Sequence, residues 1–89
     1  MASDSNVEQL AQQLEQDLLH LYGSPLITGE DLQRALGYRS IDALRKAIVR
    51  KSIPVSVFSI EHRRGKYALI KDIARWLAKE SLMNKKKEE

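Results

Sequence analysis

The chain has no cysteine. Disulfide staples, thiolate catalysis and cysteine-based zinc sites are therefore excluded. No apolar run approaches the roughly 18 residues of a transmembrane helix, so no membrane partner is expected. The opening MASDSNVEQL has neither a basic segment nor an apolar one behind it. No signal peptide is expected, and the chain reads as cytoplasmic. Gly-rich phosphate loops, nucleophile elbows and paired-carboxylate motifs are all missing. The two histidines, His20 and His62, stand far apart and do not make a metal site. His20 reads as a helix residue within an apolar run rather than a base. The expectation is a non-enzyme with no cofactor and no small-molecule substrate.

One more absence is local. Residues 1–33 contain no Lys or Arg and carry six acids. All fifteen basic residues lie in 34–89, against six acids, a net charge of +9. The stretch 34–66 alone holds nine basic residues and only Asp42 and Glu61. Such a concentration points to a polyanionic partner, with a solubilising surface as the plainer alternative.

With 89 residues, 43% of them hydrophobic and 30% charged, the chain fits one small globular domain with a thin core. Val7, Leu10, Ala11, Leu14, Leu18, Leu21 and Tyr22 recur at three- and four-residue steps. This predicts an amphipathic helix over 4–22, capped within Ser3–Ser5 and stopped by Gly23 and Pro25. Leu19 widens its apolar face beyond what a small domain needs. A homodimer contact through this helix, centred on Leu10, Leu14, Leu18 and Leu21, is the functional alternative to simple core packing.

Pro25-Leu26-Ile27 reads as extended. Thr28 is the expected cap of a short helix, with Asp31 in a variant capping box. Leu32, Ala35 and Leu36 form that helix's inner face, and Gly37 ends it. After the Tyr38-Arg39 turn, Ser40 caps a third helix reaching about Lys51. Its inner face is Ile41, Leu44, Ala47 and Ile48. Asp42, Ala43, Lys46, Val49 and Arg50 lie opposite, and Arg45 on the flank. Val55–Ile60 and Lys66–Ile70 read as two strands of a hairpin over 55–70, its basic tip containing His62, Arg63 and Arg64. Phe58 cannot be assigned a face, because the alternation breaks between Val57 and Phe58. A closing helix over 71–83 carries Ile73, Trp76, Leu77 and Leu82. Trp76 is expected in the core, and 84–89 is expected to be a frayed polar tail.

Two short helices joined by a glycine turn fit a helix-turn-helix over 28–51. The second helix of such a unit enters the DNA major groove. The expected DNA face is Tyr38, Arg39, Ser40, Asp42, Ala43, Lys46 and Arg50 on this element. His62, Arg63, Arg64 and Lys66 on the hairpin complete it. Tyr38 has a packing role as its alternative, and His62 a solvated one. Tyr67 and Trp76 are the aromatics able to serve as stacking platforms for single strands, but Trp76 shares the core stripe of Ile73 and Leu77.

LITGEDLQRALGYRSIDALRKAI, then IPV, a basic hairpin and IKDIARWLAK, resembles the winged helix-turn-helix domains of the excisionase and MerR-type superfamily. Thr28, Leu36, Gly37, Pro54, Asp72 and Trp76 occupy the places of that pattern, over about 27–78. The stretch from Ile53 to Leu77 also resembles pyocin-activator-type regulators. The N-terminal helix is extra to the excisionase pattern, and Ile53-Pro54 replaces its usual Gly-containing run. The resemblance implies a mostly α fold with a two-stranded wing, and double-stranded DNA as partner. It also implies the role of a transcription regulator or recombination directionality factor, often of a mobile element. A winged-helix module that binds protein instead of DNA is the alternative class.

Overall fold

The computed structural model describes the backbone of residues 2–87 and the side chains of 6–83. The elements run α1 (Ala2–Tyr22), β1 (Leu26–Thr28), α2 (Gly29–Leu36), α3 (Ile41–Arg50), β2 (Tyr67–Leu69) and α4 (Ile70–Lys87). The fold is mostly helical with a small two-stranded antiparallel sheet. No described helix is long and apolar enough to cross a membrane.

The sheet joins segments far apart in sequence. Leu26 pairs with Leu69, Ile27 with Ala68 and Thr28 with Tyr67. Ile27 and Ala68 are both buried, as directly opposed residues on one face must be. The amide of Ile70 then donates to the Pro25 carbonyl at 2.8 Å. The chain thus leaves through β1, builds α2 and α3, and returns to its starting point through β2. Leu32, Ile70 and Ile73 are the largest fully buried side chains, surrounded by Ile27, Leu36, Leu44 and Val55.

Local signals set α2 and α3. Gly37 takes φ +84° at the end of α2, a left-handed conformation that costs glycine little. Ser40 Oγ accepts from the Ala43 amide at 3.1 Å and caps α3. Leu44 and Ala47 are buried, with Ile41 and Ile48 half-buried beside them. The third helix closes one residue early, on a left-handed Lys51 at φ 59°.

Five expectations need correction. The first is the hairpin. Val55–Ile60 is not a strand; only Phe58 bridges to Tyr67, with backbone bonds of 2.9 and 2.8 Å. Val57 and Phe58 are both half-buried, so the segment does not keep the period of two that a strand on one face requires. The second strand is shorter than expected, because Ile70 already begins α4.

Second, Thr28 sits at the cap position of α2 without capping it. Its hydroxyl donates instead to the Lys66 carbonyl at 2.5 Å. The capping box with Asp31 is therefore not formed. Third, α1 begins at Ala2, so Ser3, Asp4 and Ser5 lie in its first turn. Leu21 is 70% exposed. Leu18, Leu19 and Tyr22 pack on the core instead, and Leu21, 100° round the helix from Tyr22, must point away.

Fourth, α4 continues through Asn84 to Lys87. No glycine or proline stops it, and lysines favour the negative end of the helix dipole. Residues 88–89 of the expected tail lie outside the described residues. Fifth, Trp76 is half-buried, not enclosed. The inner line of α4 is Ile73, Ala74 and Ala78, while Trp76 packs at the edge, sharing a groove with Pro54 and Val55. Trp76→Ala is therefore expected to cost about 2 kcal/mol, roughly half of what a fully buried tryptophan loses. Urea unfolding checks this. A change within about ±0.5 kcal/mol would mean that the ring contributes no packing.

The first helix packs chiefly along α4. Ala11, Ala74 and Ala78 are buried on these two helices, and their small side chains allow close approach. Glu8 accepts from Arg75 at 2.7 Å across the pair. That hydrogen bond, then the charge attraction, holds the Glu8 carboxyl below its ordinary range. A depressed carboxylate stabilises the fold above its ordinary pKa and loses that contribution as pH falls. Both side chains are about half exposed, so screening keeps the effect small.

Candidate nucleic-acid interface

The buried line of α3 turns its other side outward. Arg45, Lys46, Val49 and Arg50 are all exposed there and together line a hollow of about 190 Å³. A larger open groove, about 410 Å³, lies next to it. Ile41, Leu44, Arg45, Ile48 and Val49 form its α3 wall, Thr28, Gly29 and Leu32 its side along the end of β1 and α2, and Gly65 and Lys66 the end of the 59–66 loop. Arg45 and Val49 belong to both concavities, so they stand on the ridge between them.

The loop is held at its base. The hydrogen bond from Thr28 to the Lys66 carbonyl ties it to the start of α2. Lys66 Nζ donates to Ser59 Oγ at 3.0 Å across the loop. The tip turns where the Arg63 amide donates to the Ile60 carbonyl at 3.0 Å, with His62 at φ 68°. Gly65 follows at φ +84°, a left-handed conformation that costs glycine little. Arg63 and Arg64 are exposed between these two bends.

The expected site residues divide accordingly. Lys46 and Arg50 share the outer hollow, and Lys66 lies in the adjoining groove. Arg39, His62, Arg63 and Arg64 are exposed but line neither concavity. Ser40 spends its hydroxyl on the helix cap. Ala43 is half-buried rather than on the open outer face. Tyr38 packs against the core, and its carbonyl accepts from Gln33 Nε2 at 2.7 Å; the packing alternative describes it. Asp42 lies 3.6 Å from Arg45, both largely exposed. His62 lies 3.5 Å from Glu61, nearly fully exposed. The exposed Asp42–Arg45 pair contributes little and leaves the Arg45 guanidinium accessible to another anion.

Sequence reasoning passed over two residues. Arg45 was placed on the flank, yet it reaches both concavities. Val49 was placed on the outer face and given no role, although an exposed apolar residue among three cations is a usable signal. Tyr67 is half-buried and paired on both sides of the sheet, which leaves it poorly placed to stack on bases. No protein-family model, curated protein or solved structure matches this chain.

Proposed function

We propose that the chain is a sequence-specific double-stranded DNA-binding protein, acting as a transcription regulator or an excisionase-like architectural factor. The observation that carries this reading is the two-sidedness of α3. One side is anchored in the core by Leu44 and Ala47, and the other offers Arg45, Lys46 and Arg50 to solvent. A helix held this way presents a rigid cationic rod of the width that the major groove admits.

The sheet arrangement supports a winged helix-turn-helix. The second strand pairs with β1 on one side and meets Phe58 on the other, so the 59–66 loop takes the place of a wing. In this reading Arg39 and Lys46, nearer the start of α3, meet base edges. Arg50, Arg63, Arg64 and Lys66 meet phosphate or a neighbouring minor groove. The protein works without a cofactor and is not an enzyme.

A homodimer through α1 would place two such rods on half-sites about one DNA turn apart. Leu21 supports this, since it remains exposed at the end of that helix. Sedimentation is expected to show a concentration-dependent dimer that Leu21→Glu weakens. A constant monomer mass up to high micromolar, with and without DNA, would remove the dimer.

The experiment for the function is selection of preferred sites from random duplex DNA at physiological salt. Enrichment of a defined site is expected. Failure to retain any duplex would overturn the reading in favour of a protein-binding module.

A further inference from the structure

Val49 is 79% exposed, the most exposed of the large hydrophobic residues in the described chain. It gains nothing from burial where it stands. As a β-branched residue it also serves an exposed helix position less well than alanine or lysine. On one side it borders the groove that also holds Leu32, Ile41, Leu44 and Ile48, and on the other the cationic hollow. Arg45 and Lys46 precede it by four and three residues, which makes them its neighbours on the helix surface. Arg50 completes the hollow. Arginine and lysine carry apolar stems below charged heads. The hollow therefore joins the exposed Val49 side chain to the apolar stems and charged heads of three cations.

An apolar protein segment seated there would have to leave Lys46 and Arg50 without an anion, while Arg45 keeps its exposed pair with Asp42. A DNA duplex would not, because its phosphates flank the groove floor. In the major groove the apolar feature is the C5-methyl of thymine, which apolar side chains contact. We infer that Val49 is a specificity-determining residue that reads a thymine methyl while Arg45, Lys46 and Arg50 engage the surrounding acceptors and phosphates. This deepens the DNA-binding reading and rests on it. It also implies that α3 lies lengthwise in the groove. Val49 is nine residues past the Ser40 cap, about 13 Å along the axis, and an end-on helix would keep it from the bases.

The test uses the whole protein and its selected duplex. Each thymine is replaced in turn by deoxyuridine, which removes only the methyl, and affinity is measured for the wild type and for Val49→Ala. At one or two positions the wild type is expected to lose about three- to fivefold, the scale of one buried methyl group. The Val49→Ala variant should bind the thymine site more weakly by a similar factor and be indifferent to deoxyuridine at that position. Its thermal midpoint should stay close to the wild type, since the side chain is exposed.

A wild type indifferent to every replacement would overturn the inference. So would a Val49→Ala variant that keeps the full deoxyuridine penalty, or a selected site without a preferred thymine. In each of those cases specific DNA binding still stands. If no duplex is selected at all, the DNA reading fails and takes this inference with it.

Discussion

Leu32→Ala is expected to remove about 2–5 kcal/mol of folding stability, the range for truncating a fully buried leucine. Leu32 has no exposed surface and sits on α2, which contacts β1, β2 and α3. The buried cluster it belongs to draws on five elements and the 51–66 connection, so no one of them can collapse into the space without shifting the others. A domain of this size has a total of roughly 5–13 kcal/mol. The loss is therefore a large fraction of the whole. Urea titration should show a clearly lower midpoint at unchanged slope, while Val49→Ala, on the opposite side of α3, should move it little. A Leu32→Ala midpoint equal to the wild type would mean that the core is not centred on α2.

The second large effect is on binding. Arg63→Ala with Arg64→Ala should weaken binding to all duplexes alike, because these loop cations are assigned to phosphate. The salt slope should flatten by roughly one unit per lost phosphate contact, about two in all. Lys46→Ala should behave differently. It should relax preference at one or two base positions, each worth roughly 1–3 kcal/mol, with a nearly unchanged slope. Site selection repeated with each variant separates the two patterns. If both variants bind the selected site as the wild type does, the face formed by α3 and the 59–66 loop is not the one that meets DNA.

The parts of the fold legible in the sequence were those written in local chemistry. Ser40 followed by an apolar-periodic run marked the start of α3, and Gly37 marked the end of α2, because a cap and a left-handed turn each need only their neighbours. The inner face of α3, and Lys46, Val49 and Arg50 opposite it, followed from 100° per residue, whereas Ala43 proved half-buried. What the sequence concealed was set by distant partners. β1 and β2 are three residues each and pair across some forty residues, so neither carries enough pattern to announce its mate. Thr28 looked like a cap until Lys66 arrived beside it from the other end of the chain. Trp76 lay on an apolar stripe, but alanines lie closer to the interior, and nothing in periodicity separates the inner line of a helix from its edge. At the candidate interface, the cations were legible as a charge run, whereas the concavities that link Arg45 and Val49 to Lys66 depend on how the loop folds back.

The central claim is that this cationic face meets duplex DNA, and its most direct test is the salt dependence of binding to the selected site. Arg50, Arg63, Arg64 and Lys66 are the four assigned phosphate contacts. They predict a slope of about −3.5 in log affinity against log salt, or roughly a hundredfold loss between 50 and 200 mM. An affinity that stays flat across that range would contradict the account, because a surface that releases no counterions is not binding a polyanion.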